Sequence, residues 1–229
     1  MIPLRDHIAA SRVPYVTYAV IGASVLVFLW QLSLGEHGGQ QAVYALGAIP
    51  AVIFGHARLP ADIAMVPPLA TVFTSMFLHG GWLHLIGNML YMWIFANNVE
   101  DSMGHLRFIV FYLLAGVVAV LAQSLPDTSS QVPMIGASGA ISGVLGAYLM
   151  LFPRARVLVL IPLGFILKTV YLPAAVVLGF YFVLQVVMTA IAPEGGGVAF
   201  AAHLGGFVAG AALIPVFKHR RVPLFSKRR

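Results

Sequence analysis

The 229-residue sequence contains no cysteine. This absence excludes disulfide bonds, thiolate metal sites and a cysteine nucleophile, so any nucleophilic side chain must act through oxygen or nitrogen. Charge is also scarce: Asp, Glu, Lys and Arg make up only 9% of the residues. Soluble domains carry roughly 25% charged residues. The sequence therefore disfavours both a disulfide-stabilised secreted domain and an ordinary soluble domain.

Apolar residues dominate the composition instead. They account for 60% of the chain, and the mean hydropathy is +0.94, which is typical of a membrane protein. The net charge of +6 is concentrated at the C-terminus, where six of the thirteen cations occupy the last twelve positions. These are Lys218, Arg220, Arg221, Lys227, Arg228 and Arg229. Because they follow an apolar run, we interpret them as a juxtamembrane tail that prefers anionic lipid headgroups, and we predict no nucleic-acid partner.

Six apolar runs approach the length of about 20 residues that a membrane-spanning helix requires. They cover residues 15–34, 82–99, 106–125, 135–152, 169–191 and 199–217. The sequence therefore predicts an all-α, polytopic membrane protein with six transmembrane helices. A further apolar stretch, Val157 to Leu167, is interrupted by Pro162 and Gly164, so we interpret it as an interfacial segment or an extension of the fifth helix.

The distribution of Lys and Arg predicts the orientation of these helices, because cytoplasmic loops are enriched in both residues. With both termini in the cytoplasm, six spans place twelve of the thirteen cations inside and only Arg58 outside. We therefore expect a multi-pass protein of the cell membrane with a cytoplasmic N-terminus, residues 1–14, and a basic cytoplasmic tail, residues 218–229. The second, fourth and sixth helices then enter from the outer face, and their first turns share one depth.

A serine and a histidine lie in these first turns. Ser138 stands between Gly136 and Gly139 at the start of the fourth helix, where small neighbours leave space for a substrate backbone and helix N–H groups can stabilise an oxyanion. His203, at the start of the sixth helix, is a candidate general base. Both residues also have plainer interpretations. A small serine can simply serve helix packing, and an intramembrane histidine can simply donate to a backbone carbonyl.

Rows of small residues favour contact between the two helices that carry this pair. The rows are Gly139 and Gly143 on the fourth helix, and Ala202, Gly206 and Gly210 on the sixth. If they pack together, Ser138 and His203 meet. We expect Gly206→Leu to separate the helices and Gly206→Ala to be much milder, because a methyl group displaces a backbone less.

The entry to the second helix contributes a third polar group, formed by His79, His84 and Asn88. His84 and Asn88 are four residues apart and share one helix face, from which both could donate to an oxyanion. His79 precedes the Gly80-Gly81 turn, so we assign it a structural role. The alternatives are that all three only tie the loop to the helix, or that they bind zinc. We disfavour a metal because the sequence has no His-Glu-x-x-His motif and no acidic residue in this cluster.

These motifs together resemble the rhomboid family of intramembrane serine proteases. The matching segments are His79-x4-His84-x3-Asn88, Glu100-x3-Gly104, Gly136-x-Ser138-Gly139 and Ala202-His203-x2-Gly206. The resemblance extends from about residue 50 to residue 213, and we treat residues 1–229 as a single rhomboid-like membrane domain.

The resemblance implies a catalytic Ser138–His203 dyad without an acidic third member. It also implies an oxyanion hole formed by the Ser138 N–H, Asn88 and His84. The supporting residues are His79, Gly136, Gly139, Gly206 and Glu100. The implied substrates are single-span membrane proteins, cut near the outer end of the span in the lipid bilayer. No cofactor is implied.

Two features depart from the family pattern. Many members carry an aromatic residue four positions after the nucleophile, where its ring packs on the catalytic imidazole, but this chain has Ser142 there. The orientation of His203 must then come from elsewhere. The Trp-Arg pair that some members carry in the long first loop is also missing.

Two other function classes stay open. A rhomboid-like pseudoenzyme would bind membrane helices without cutting them, although such proteins usually lack the serine or the histidine. A transporter would use intramembrane Ser and His for ion passage, although this chain has no carboxylate predicted at mid-membrane. The sequence leaves the oligomeric state and the physiological substrate open.

Overall fold

The computed structural model describes residues 1–164, 166–191 and 198–226, and most of these residues are helical. The helices are α1 (Tyr15–Ser33), α2 (Gly35–Leu46), α3 (Pro50–Ile53), α4 (Thr71–Thr74), α5 (Trp82–Tyr91), α6 (Asn97–Met103), α7 (His105–Ser124), α8 (Ser138–Leu151), α9 (Ala174–Ile191) and α10 (Phe200–Phe217). Short 3₁₀ turns flank α4 at Pro68–Ala70 and Ser75–Phe77. A π-helical turn at Met92–Ala96 joins α5 to α6.

Four of the described helices are long and apolar enough to cross a membrane: α1, α7, α9 and α10. The segment 68–77 and the helix 82–103 meet at an angle of 83° and together would make a fifth span. The protein is thus a multi-pass membrane protein, but the structure does not establish the predicted number of six. The difference lies in α8, whose 14 residues extend only about 21 Å, against a hydrocarbon core of about 30 Å.

The helix α8 is short because its ends are set by the local backbone. Gly136 has a φ of +115°, which breaks the helical path just before Ser138, and Pro153 follows the last turn. Ten of the fourteen residues are buried, and α8 packs mainly against α10 and α7. The helix that carries Ser138 is therefore the centre of the bundle.

A three-stranded antiparallel sheet was not predicted. It consists of β1 (Ile2–Asp6), β2 (Arg156–Leu163) and β3 (Ile166–Pro173), with β2 in the middle. The interpretation of residues 157–167 as an extension of the fifth helix was therefore wrong, and the predicted all-α fold is correct for the bundle but omits this small sheet. The β-branched run of β2 buries Val157 and Val159 on one face, as alternation in a strand requires. The fifth helix begins only at Ala174, after β3.

The C-terminal segment folds back onto the bundle. The N–H groups of Phe225 and Ser226 donate to the carbonyls of Met150 and Leu151, at 2.7 and 2.9 Å. These bonds satisfy carbonyls at the end of α8 that lack intrahelical partners. The tail is thus packed against the protein as far as Ser226, while the predicted tail cations Lys227, Arg228 and Arg229 lie outside the described residues.

Candidate active site

Ser138 and His203 meet in the structure, as the rows of small residues predicted. His203 Nε2 lies 2.7 Å from Ser138 Oγ, which is hydrogen-bonding distance. Ser138 is the first residue of α8, and His203 lies in the first turn of α10. Both side chains are half-buried. The pair is therefore held inside the protein with part of its surface exposed.

Glycine brings the two helices into backbone contact. A β-carbon on Gly206 would overlap the carbonyl group of Gly139, and one on Gly210 would overlap the carbonyl group of Gly143. The predicted packing of these rows is thus confirmed. Backbone contact of this kind is how helices associate in a membrane, where lipid removes the hydrophobic driving force between them. The short distance between Ser138 and His203 follows from this packing.

The turn before Ser138 is held by its own hydrogen bond and faces the second helix. The N–H of Gly136 donates to the carbonyl of Ser75 at 2.8 Å. A β-carbon added at Gly136 would lie 2.6 Å from His84 Nε2 and 3.6 Å from Asn88 Nδ2. Gly136, His84 and Asn88 therefore converge two residues before Ser138, and only glycine allows His84 to approach the backbone this closely.

The side chains of Asn88 and His84 differ in their hydrogen bonds. The Asn88 side chain is buried, and its Nδ2 has no hydrogen-bond partner in the described residues. Buried polar groups are normally hydrogen-bonded, so an unpaired amide close to Gly136 is available to a ligand. His84 Nδ1 accepts from the N–H of Gly80 at 3.4 Å, which leaves Nε2 as the donor that faces Gly136.

His79 lies deeper than these two residues. Its backbone N–H donates to Gln31 Oε1 at 3.0 Å, and its Nδ1 lies 3.1 Å from the carbonyl of Phe77. Its ring makes an edge-to-face contact with that of His84, at 5.2 Å between centroids. His79 thus packs against the His84 ring, and its hydrogen bonds are to Gln31 and Phe77 and not to Ser138.

This geometry agrees with a comparison of the sequence with known families. Residues 66–220, more than half of the chain, match the Rhomboid domain. The chain belongs to the rhomboid family.

Three curated members of the rhomboid family show how far the similarity extends. The chain is 29% identical over 200 residues to Rhomboid protease GluP of Bacillus subtilis, covering 87% of this chain and 35% of that protein. It is 28% identical over 183 residues to the mitochondrial Rhomboid protein 1 of Saccharomyces cerevisiae, covering 73% and 51%. It is 36% identical over 76 residues to RHOMBOID-like protein 5 of Arabidopsis thaliana, covering 33% and 25%. The chain thus spans about half the length of these relatives, or less.

The rhomboid motif residue Glu100 lies away from the dyad and anchors α1. Its buried carboxylate accepts the backbone N–H groups of Val16 and Thr17, at 3.0 and 2.8 Å, and the Thr17 hydroxyl at 2.6 Å. It also contacts His105 Nδ1 at 2.6 Å. A carboxylate at a helix N-terminus satisfies unpaired N–H groups and the helix dipole. Glu100 therefore fixes the start of α1 to the middle of α6.

Three polar residues beside the dyad were missed by the sequence analysis. Gln123 of α7 accepts the N–H of Ala202 through Oε1 at 3.2 Å and so caps the start of α10. Gln185 of α9 lies 2.9 Å from His203 Nδ1. Tyr181, also on α9, contacts the hydroxyl of Ser142 at 2.7 Å. The signal that could have found them is their polarity within apolar spans, where polar side chains usually face the protein interior.

Proposed function

We propose that this protein is an intramembrane serine endopeptidase in which Ser138 is the nucleophile and His203 the general base. The observation that carries the proposal is the 2.7 Å contact between His203 Nε2 and Ser138 Oγ at the start of two glycine-packed helices. Membership of the rhomboid family and the similarity to a named rhomboid protease support the same activity.

The proposed reaction begins with proton transfer from Ser138 Oγ to His203 Nε2 as the oxygen attacks the scissile carbonyl carbon. The imidazolium then protonates the leaving amine. Water, activated by the same imidazole, releases the acyl group from Ser138 and restores the hydroxyl. No acidic side chain and no cofactor take part in these steps.

The oxyanion of the tetrahedral intermediate needs hydrogen-bond donors placed in advance. We assign this role to the Ser138 N–H at the start of α8 and to two side-chain donors that lie close to Gly136, the unpaired Asn88 Nδ2 and His84 Nε2. In a low-dielectric site, each aligned donor of this kind contributes about 2.7–4 kcal/mol to transition-state stabilisation. His79, Gly136, Gly139, Gly206 and Glu100 would support this arrangement without contacting the substrate.

We further propose that residues 1–229 form one membrane domain with six spans. In this arrangement α8 is the fourth span, and it can be shorter than its neighbours because other helices surround it. Both termini are placed in the cytoplasm, and the dyad lies near the outer face. The proposed substrates are single-span membrane proteins, cut near the outer end of the span.

Cleavage by the purified full chain in liposomes tests this proposal. A panel of single-span proteins would be incubated with it, and the products would be mapped by mass spectrometry. The proposal predicts cuts inside or beside the span. Co-purification of uncut spans would support a pseudoenzyme instead. Dissipation of a proton or ion gradient without cleavage would support a transporter.

Replacing Asn88 by alanine is expected to lower kcat by about 100-fold without eliminating cleavage, because the Ser138 N–H and His84 remain as donors. Asn97→Ala is the matched control on the helix 82–103, since among the described residues the Asn97 side chain bonds only the N–H of Asn98, which it accepts. Both variants would be compared by steady-state kinetics. Unchanged kcat in Asn88→Ala would remove Asn88 from the oxyanion hole.

Single-cysteine labelling is expected to show Asp127 on the outside and Arg154 on the inside of the membrane. The cation count predicts this orientation, both side chains are exposed, and the native chain has no cysteine to remove. Asp127→Cys and Arg154→Cys would be treated in intact cells with a membrane-impermeant maleimide. The reverse pattern would place the dyad near the inner face and contradict the proposed topology.

A further inference from the structure

A buried glutamine lies on the side of His203 that faces away from Ser138. Gln185 Oε1 is 2.9 Å from His203 Nδ1, while His203 Nε2 faces Ser138 Oγ at 2.7 Å. The proposed mechanism uses Nε2 only. Gln185 is therefore a polar contact to the catalytic ring that the reaction steps leave unexplained.

The position of Gln185 on α9 is unusual for a polar residue. From residue 179 to the end of α9 it is the single buried position, and its neighbours Leu184 and Val186 are exposed apolar side chains. In this half of the helix, Tyr181 and Phe182 also pack against the core but stay partly exposed, so Gln185 is the residue that lies deepest in the bundle. Polar side chains in membrane spans are costly and mark functional sites when they point inward.

The chemistry of the amide decides the protonation pattern of the ring. With Oε1 turned toward the ring, as it is here, the amide accepts a hydrogen bond, and a neutral imidazole then carries its proton on Nδ1. Nε2 then keeps its lone pair, which is what acceptance of the Ser138 proton requires. In the opposite tautomer, Nε2 carries the proton and cannot act as a base toward Ser138.

We propose that Gln185 is a positioning residue that holds His203 in the Nδ1–H tautomer and fixes its ring toward Ser138. This inference rests on the proposed function. It supplies the orientation that an aromatic residue at position 142 provides in many family members.

A second polar contact, made by Tyr181 one helical turn before Gln185, holds α9 in position against α8. Ser142 Oγ donates to the carbonyl of Ser138 at 2.8 Å, and the Tyr181 hydroxyl lies 2.7 Å from Ser142 Oγ. Residues four apart share a helix face, so Tyr181 and Gln185 face the dyad together. The helix α9 is thus joined to α8 through Tyr181 and to α10 through Gln185, and the direction of the His203 ring depends on where α9 sits.

Substitutions at position 185 test the role of the acceptor. Gln185→Leu and Gln185→Met remove the amide oxygen, and we expect kcat to fall by about 10- to 100-fold. KM should change little, because these substitutions disturb the orientation of the His203 ring and leave the substrate-binding site intact. Gln185→Glu keeps an oxygen acceptor at the same length, so its kcat should lie nearer to wild type than to Gln185→Leu. Thr189→Val is the matched control on α9, since the exposed Thr189 hydroxyl donates to the carbonyl of Gln185 on its own helix and makes no other side-chain hydrogen bond within the part of the chain that the structure describes.

Nitrogen-15 NMR of labelled histidine reads the tautomer independently of cleavage. Wild-type protein should show His203, assigned by its loss in His203→Ala, as the Nδ1–H tautomer, and Gln185→Leu should show a mixture of the two tautomers. A wild-type protein with the Nε2–H tautomer would overturn the inference, as would wild-type kcat in Gln185→Leu and Gln185→Met. Failure of the wild type to cleave any substrate would instead overturn the proposed function, and the NMR result would still decide whether Gln185 orients the ring.

Discussion

Replacing Ser138 by alanine is expected to abolish peptide-bond cleavage, with kcat lowered by about 10⁴-fold or more. The hydroxyl is the only group in the proposed mechanism that bonds covalently to the substrate, so neither His203 nor the oxyanion donors can substitute for it. The effect on stability should be small by comparison. His203 Nε2 loses its hydrogen-bond donor, which costs about 1–3 kcal/mol at most.

Two measurements separate loss of chemistry from loss of fold. Helicity and thermal unfolding of Ser138→Ala in detergent should stay close to wild type while turnover disappears. Ser124→Ala is the control, because Ser124 is fully buried and its hydroxyl bonds the carbonyl of Val120 on its own helix at 2.8 Å. Turnover that survives in Ser138→Ala would mean that another residue is the nucleophile.

Replacing Gly206 by leucine is expected to lower cleavage by well over 100-fold, although Gly206 contacts no substrate. The leucine side chain would have to occupy the position of the Gly139 carbonyl group on α8. The two helices must then separate, and a displacement of about 1 Å between reacting groups already costs about 100-fold in rate. The Ser138–His203 distance, which is 2.7 Å here, would exceed hydrogen-bonding range.

The structure changes the activity that is expected when Gly206 is replaced by alanine. The sequence predicts a much smaller loss for Gly206→Ala than for Gly206→Leu, but a single β-carbon already overlaps the carbonyl carbon and oxygen of Gly139, which are backbone atoms that cannot rotate away. Activity should therefore fall at alanine and fall further at leucine. Gly22→Leu is the control, because a β-carbon at Gly22 of α1 has no atom within 4 Å. Normal cleavage by a stable Gly206→Leu protein would show that close packing does not assemble the dyad.

The sequence predicts the long spans well because hydrophobic runs and helices end at the same residues. α1 covers Tyr15–Ser33 where residues 15–34 were expected, and α10 covers Phe200–Phe217 where 199–217 were expected. The meeting of Ser138 and His203 could be predicted too, since glycine rows specify which helix faces pack. The start of α8 was set by the positive φ of Gly136, which hydropathy does not reveal.

Two features were beyond sequence reasoning for identifiable reasons. The hairpin of β2 and β3 is as apolar as a helix, and its identity depends on β1, which pairs with it from about 150 residues away, for example Ile2 with Leu160. The Gln185 contact depends on the rotation of α9 about its own axis. Because α9 is apolar around most of its circumference, periodicity gives no preferred face until tertiary packing selects one.

The most direct test of the central claim is labelling by a fluorophosphonate, which reacts with an activated serine hydroxyl. The labelled residue would be mapped by mass spectrometry in the wild type, in His203→Ala and in Ser124→Ala. The dyad predicts that Ser138 of the wild type is modified, that Ser124→Ala is modified equally, and that modification is lost in His203→Ala although Ser138 is still present. Modification of a different residue, or equal labelling of Ser138 in His203→Ala, would contradict the claim that His203 activates Ser138 as the nucleophile.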